Sequence, residues 1–164
     1  MTSTTTNTTK QRLLPEGYEI RAAVPEDLTA IHGLLKLFVD QKMILRRTKA
    51  ELLALMATGF VAVFQDEVVG FASVEIYSKK LSEIQCLAVS QNHQGKGLGG
   101  ALVAHCVQLA RQRGVMEVMA ISSSDKFLID QGFDYSLPNQ KKALFIQLRS
   151  REEVYGELEE SGEE

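Results

Sequence analysis

The sequence predicts an α/β (α+β) fold: one domain with a mixed, mostly antiparallel central sheet and helices on both faces. Three observations carry this. Strand-like segments at 60–65, 68–77 and Leu81–Val89 follow one another with only short turns between them, a hairpin succession rather than a crossover one. Helical patterns lie on both sides of this trio, two before it and one directly after. The chain has 164 residues, 45% hydrophobic and 24% charged, which is enough for one real core. Neither a strict βαβαβ alternation nor an all-β array fits this order. The expected organisation is a disordered tail at 1–17, a domain at 18–151 and a disordered acidic tail at 152–164.

Taken in order, residues 1–12 are almost entirely Thr, Ser, Asn and Gln and lack the means to build a core. Residues 18–23 alternate as a short strand. Pro25, Glu26 and Asp27 open a helix, with Pro suited to the first turn and acids to the positive helix end. Leu28, Ile31, Leu34, Leu35, Phe38 and Val39 recur at three- and four-residue steps and give it one buried stripe. A second helix spans 48–58, where Thr48 and Glu51 have capping-box spacing. Gly59 ends it, and two strands at 60–65 and 68–77 turn at Asp66-Glu67. After Leu81–Val89 comes a helix over 98–113, stopped by Gly114. A strand at 115–122 and a short helix at 125–131, closed by Gly132, follow. Strand-like pieces at 133–136 and 143–148 complete the pattern, and the acidic end should be solvated and mobile.

Composition excludes several classes. No apolar run approaches the roughly 18–20 residues that a membrane span needs. The N-terminus lacks a signal peptide's apolar centre, so the expected compartment is the cytoplasm. Cys86 and Cys106 both lie in apolar segments without CxxC spacing, which suits reduced core residues. His32, His93 and His105 are scattered without metal-ligand spacing; no metal is expected, and His93 reads as a solvated loop residue. The net charge of −3 hides an asymmetry: seven Glu and no Lys or Arg lie in 152–164, and the rest carries 18 basic against 14 acidic residues. That mildly basic body suits a polyanionic small ligand and is too weakly basic to argue for nucleic acid.

The most informative stretch is Gln94-Gly95-Lys96-Gly97-Leu98-Gly99-Gly100, between a strand and a helix. Such a turn points bare backbone N–H groups at an anion, because glycine permits close approach and first-turn amides have no partner within the helix. Gly95, Gly97 and Gly100 formally satisfy the dinucleotide fingerprint. That fingerprint needs a strand running almost directly into the first glycine, with βαβ units around it. Here Ser90 to Gln94 intervene and three strands come first. A nucleotide P-loop needs Ser or Thr after the Gly-Lys pair, where this chain has Gly97.

The remaining pattern, Gln/Arg-x-x-Gly-x-Gly/Ala, is met by Gln94, Gly97 and Gly99. It resembles the acetyl-CoA pyrophosphate motif of the GNAT superfamily of N-acetyltransferases. The segment EIQCLAVSQNHQGKGLGGALVAHC looks like that family's fourth strand, loop and third helix. IRAAVPEDLTAIHGLL and LIDQGF also look typical of it, so the resemblance spans about 18–149. It implies a GNAT-like sheet with acetyl-CoA as co-substrate. Backbone amides of Gln94, Gly95, Lys96, Gly97, Leu98 and Gly99 would bind the pyrophosphate. The strand edge at Leu87, Ala88 and Val89 would pair with the pantetheine arm.

Acetylating an amine requires a base for the ammonium proton, a site for developing negative charge and a proton for the departing thiolate. Glu83, near the start of the strand leading to the loop, is the leading candidate base, and Glu75 on the preceding strand is the runner-up. The superfamily's usual proton donor is a Tyr on the short helix, at a position that is Leu128 here. Tyr135 and Ser122, in the run Ser122-Ser123-Ser124, are the possible substitutes. Ser122 to Ser124 serve equally as caps for the helix starting at Asp125. Cys86 as an acyl-carrying nucleophile is a weaker reading, since a buried strand cysteine is inert.

For the acceptor, LLKLFVDQKMILRRT, EIQCLAV and LPNQKKALFIQLRS look like the acetyltransferase part of N-acetylglutamate synthases. The resemblance implies transfer to the α-amine of glutamate, the first step of arginine biosynthesis. Arginine forks grip carboxylates, and Arg46, Arg47, Lys141, Lys142, Arg149 and Ser150 lie in the matching segments. Arg47, Arg149 and Lys142 are the expected acceptor-binding residues. Two other readings stay open: an N-acetyltransferase for a protein N-terminus, polyamine or xenobiotic, and a degenerate CoA-binding sensor. The edge strands also allow a homodimer.

Overall fold

A computed structural model of the chain describes residues 13–135 and 144–162. Five strands form one sheet in sequential order: β1 (Tyr18–Ala22), β2 (Gly59–Phe64), β3 (Glu67–Ile76), β4 (Leu81–Val89) and β5 (Glu117–Met119). Three neighbouring pairs are antiparallel, and β4 pairs with β5 in parallel. The helices are α1 (Leu28–Asp40), α2 (Lys49–Met56), α3 (Leu98–Gln112), α4 (Asp125–Asp130) and α5 (Arg151–Ser161).

Side-chain alternation along the strands, interrupted by a register shift in each of the β2–β3 and β3–β4 pairings, gives the sheet two apolar faces. Ala62, Val69, Ala72, Val74 and Ile84 pack with Leu98, Leu102, Cys106 and Ala110 of α3. Val61, Phe71 and Ala88 pack on the other face with Ile31, Leu34 and Leu35 of α1 and Leu52 and Met56 of α2. The expected stripe of α1 is therefore the one that is buried.

The ends of the helices follow from specific bonds. Thr48 Oγ1 accepts from the Glu51 N–H at 3.2 Å while a Glu51 carboxylate oxygen accepts from the Thr48 N–H at 2.7 Å, the reciprocal capping box. At the other end of α2, the fully buried Ser73 hydroxyl of β3 donates to the Leu55 carbonyl at 2.6 Å. The same carbonyl also takes the Thr58 N–H at 3.1 Å, so the Ser73 hydroxyl adds a second bond and fixes α2 to the sheet. The start of α1 is held by Asp27, whose carboxylate receives both Nη atoms of Arg21 from β1 at 2.7 and 2.8 Å and the Val24 N–H at 2.9 Å.

β4 contains the fold's main irregularity. Phe71 faces Ala88 but Ser73 faces Gln85, so Ala72 alone opposes Cys86 and Leu87. Cys86 takes a positive φ of 56° at this bulge. As a result Ile84 and Leu87 both reach the α3 face, and side chains after the bulge keep the correct side.

The sequence expectations need correction in four places. Residues 133–135 and 144–148 form no strand, and positions 136 and 143 lie outside the described residues. Leu144, Phe145, Ile146 and Leu148 instead face solvent, while Phe133 packs against the α3-side core. The strand expected over 115–122 shrinks to Glu117–Met119, since only Leu81–Glu83 of β4 pair with it. The start of the acidic end is helical in α5 rather than unstructured: Tyr155 docks it by accepting the Arg46 N–H at 2.7 Å. Within the expected N-terminal tail, Leu14 packs against the core and Tyr18 N–H bonds to the Pro15 carbonyl. Among the described residues, no helix is long and apolar enough to cross a membrane.

Asp27 supplies a stability test. The Arg21 hydrogen bond, foremost, holds its carboxyl below the ordinary value of 3.8. A depressed folded value means stabilisation that is complete above the unfolded value and lost as pH falls through the folded one. Asp27→Asn should therefore lower unfolding free energy at pH 7 by about 1–2 kcal/mol, allowing for the solvent that reaches Arg21. Denaturant titrations should show the gap from wild type closing below about pH 4.

Candidate active site

The glycine stretch forms the turn that its composition implies. Gly95 and Gly97 have φ of 76° and 86°, and Gly97 is the N-cap of α3. A Cβ on either would meet nothing within 4 Å, so the turn faces open space. The first helical bond of α3 runs from Ala101 N–H to the Gly97 carbonyl at 3.0 Å, leaving the N–H groups of Leu98, Gly99 and Gly100 without helical partners. These amides, with the positive end of a 15-residue helix, make a cradle for an anion.

Two contacts hold the approach to this turn. Gln94 Nε2 donates to the Val89 carbonyl at 2.9 Å, closing the loop onto the end of β4. His93 is anchored rather than solvated: its Nδ1 lies 2.8 Å from the Tyr18 hydroxyl, and its ring packs against Tyr18 and Phe64. Lys96, by contrast, is exposed beside the turn. β4 pairs with β5 only over Leu81–Glu83, so its edge from Ile84 to Val89, including Leu87 and Ala88, has no β5 neighbour. An extended ligand arm can pair with such an edge.

The bulge also determines what faces the α1–α2 side. Ser73, Glu75, Glu83 and Gln85 lie there as cross-strand partners, with Glu75 opposite Glu83 and Ser73 opposite Gln85. Tyr77, just past β3, donates its hydroxyl to Glu83 Oε2 at 2.5 Å. Gln85 Nε2 donates to Glu75 Oε2 at 3.2 Å, and Arg47 Nη2 donates to Gln85 Oε1 at 3.0 Å. The structure thus joins Arg47, Glu75 and Glu83 in one polar row. Burial first, then the Glu83 hydrogen bond and charge, push the Tyr77 phenol well above its usual range.

Tyr77 and Gln85 are not singled out by the sequence reading. The available signal is the alternation of Glu75, Tyr77, Glu83 and Gln85 at two-residue steps in otherwise apolar strands.

Two hollows flank the row. One, of about 920 Å³, is lined by Arg47, Glu51, Thr58, Glu75, Lys79 and Arg113. The other, of about 680 Å³, is lined by Arg46, Arg47, Glu51, Arg149, Ser150 and Tyr155. Arg47 and Glu51 border both hollows. Arg149 lies within the second and pairs with Glu157 of α5 at 2.5 Å. Lys142 lies outside the described residues.

The other expected residues are placed elsewhere. Ser122 Oγ accepts the Ser124 N–H at 2.9 Å, a local turn before α4. The exposed Tyr135 donates its hydroxyl to Asp125. Neither side chain has a hydrogen bond to Glu83. Leu128, at the position of the superfamily's usual Tyr, is buried. Cys86 is a poor nucleophile because burial, above all, pushes its thiol up to about 11. Among the described residues, no three His, Cys, Asp or Glu side chains gather to hold a metal ion.

Comparison with known proteins accords with this geometry. A model of the acetyltransferase (GNAT) family matches residues 27–130. The chain is 27% identical over 114 residues to an uncharacterized N-acetyltransferase of Chlorobaculum tepidum, covering 70% of this chain and 74% of that protein. It is 27% identical over 117 residues to an amino-acid acetyltransferase of Mycobacterium tuberculosis, covering 70% and 67%. The N-acetylglutamate synthase of Neisseria gonorrhoeae, solved with coenzyme A and N-acetyl-glutamate, superposes with a TM-score of 0.68 at 23% identity, over 89% of this chain and 33% of that one. At that identity the likeness establishes the fold alone, and this chain spans a third of that protein's length. The family match covers more than half of the chain, including β4, the glycine turn and α3. This protein belongs to the GNAT family of acetyl-CoA-dependent N-acetyltransferases.

Proposed function

We propose that the chain transfers the acetyl group of acetyl-CoA directly to the α-amine of a small dicarboxylic amino acid, glutamate in the first place. The observation that carries this reading is the position of Arg47. It borders both hollows and is joined through Gln85 to the carboxylate of Glu75, and through Gln85 and Tyr77 to that of Glu83. Cations thus line the hollow that also holds Glu75, the cross-strand partner of the candidate base, which suits an acceptor carrying an amine and carboxylates together. Arg149 supports the same reading, because its guanidinium already holds a carboxylate, that of Glu157. The amino-acid acetyltransferase of Mycobacterium tuberculosis, 27% identical here, makes an amino acid the natural first acceptor to test.

In this reading the amides of Leu98, Gly99 and Gly100, in the turn formed by Gln94, Gly95, Lys96 and Gly97, bind the pyrophosphate. The free edge of β4 at Leu87, Ala88 and Val89 guides the pantetheine arm towards Glu83. Arg47 and Arg149 take the acceptor's carboxylates. Glu83 removes the ammonium proton, directly or through water, and the freed amine attacks the thioester carbon. A new C–N bond forms as the C–S bond breaks, and CoA leaves as a thiolate that is protonated from solvent. Such a leaving group needs no dedicated acid, which fits the leucine at 128 and the placement of Tyr135 and Ser122 away from Glu83.

Steady-state CoA release should be measured with glutamate, aspartate, a polyamine and a peptide N-terminus. Saturable release with glutamate is the expected outcome. Transfer to a different amine class alone would replace the acceptor, and CoA binding without any transfer would favour the sensor reading. Glu83→Gln should reduce kcat/KM at neutral pH by about 10²–10⁴-fold, the usual weight of a general base. Glu157→Gln, which releases Arg149, should lower the KM for glutamate and leave kcat unchanged. Gly97→Ala forces a side chain into the left-handed region and should raise the CoA Kd by about tenfold in calorimetry. Gly33→Ala, on an exposed and open position of α1, is the control that keeps the wild-type value.

A further inference from the structure

We propose that Tyr77 and Gln85 are positioning residues for acetyl transfer, forming with Arg47 a hydrogen-bonded chain whose direction is set at the arginine and which ends by clamping one oxygen of Glu83. This rests on Glu83 as the base.

The direction follows from counting donors. A guanidinium can only donate, so Gln85 must present its oxygen to Arg47, as it does at 3.0 Å. Its NH2 then points the opposite way, lying 3.2 Å from Glu75 Oε2 and 3.3 Å from the Tyr77 hydroxyl oxygen. Because that oxygen receives an amide hydrogen, the single phenolic proton is left for a carboxylate. Glu83 Oε2 is 2.5 Å away and Glu75 Oε2 is 3.3 Å away, so the proton goes to Glu83. A flipped Gln85 would set its oxygen against the Glu75 carboxylate and its NH2 against the guanidinium. With Gln85 only 9% exposed, water has little access to relieve either clash.

Two carboxylates directly opposite on antiparallel strands repel. The chain gives each its own neutral donor, Gln85 to Glu75 and Tyr77 to Glu83. With Oε2 clamped, the Glu83 carboxylate cannot turn, and Oε1 is the atom left to meet the acceptor's ammonium. The Tyr77 phenol, whose proton is held more tightly than usual, stays a donor at every pH at which such an enzyme works. The hollow beside Glu75, the cross-strand partner of this carboxylate, carries Arg47 and Glu51 from the start of α2, Lys79 in the β3–β4 turn and Arg113 after α3. Arg47 and Glu75 are both bonded into the chain, through Gln85. A guanidinium with five N–H groups can hold Gln85 and an acceptor carboxylate together, so acceptor binding and the orientation of the base meet at one residue.

A purely structural role, separating two carboxylates, would affect stability and nothing else. Tyr77→Phe removes only the hydroxyl and separates the two. The expected result is a fall in kcat of about ten- to a hundredfold, the weight of a hydrogen bond to a charged group. The KM values for acetyl-CoA and glutamate should stay unchanged. Gln85→Leu, cutting the chain one link earlier, should lower kcat too. Melting temperatures and Glu83→Gln are measured alongside. If Glu83→Gln is impaired while Tyr77→Phe keeps the wild-type kcat, whatever its melting temperature, the positioning role is overturned and the base stands. If Glu83→Gln itself retains full activity, the base reading fails and this inference fails with it.

Discussion

The site depends on one extra residue in β4. Opposite Ala72 stand both Cys86 and Leu87, and every side chain beyond that point would otherwise change face. Without the bulge, Leu87 and Val89 would leave the α3-side core and Ala88 would leave the α1–α2 side, so both apolar layers would lose their strand. β4 pairs with β5 only over Leu81–Glu83, and its edge from Ile84 to Val89 leads unpaired by β5 to the glycine turn.

On the near side of the bulge, the sheet presents polar groups where helix α2 ends. Ser73 bonds the Leu55 carbonyl in the last turn of α2, and beyond it along the same face lies the row of Glu75, Tyr77, Glu83 and Gln85. Arg47 enters from just before α2 and closes the row, with the two hollows on either side of it. In the proposed reaction the donor half lies on backbone amides and strand edge, and the acceptor half on side chains from separate segments.

Those two halves differ in how far the sequence discloses them. Helices α1 to α4 and the hairpin are legible, because apolar spacing, the Thr48–Glu51 cap and the stop at Gly114 are local signals that agree with one another. The glycine turn is legible for the same reason. The bulge is not: Cys86 holds a positive φ without glycine, so nothing in its chemistry announces the slip. Nor does a tyrosine at a strand end announce that it faces Glu83, six positions on. The helicity of α5 is masked by its charge, as it has no continuous apolar stripe and is docked through Tyr155 to the Arg46 backbone. His93 looks like a solvated loop residue until β1 and β2 bring Tyr18 and Phe64 beside it.

The claim that the free β4 edge and the glycine turn together form the donor site is tested most directly by the crystal structure of the protein with CoA. The account predicts pyrophosphate oxygens on the amides of Leu98, Gly99 and Gly100. It also predicts pantetheine amides paired with the β4 edge beyond Glu83, on the side where β5 has separated. A pantetheine arm running elsewhere, with the β4 edge still unpaired in the complex, would contradict it.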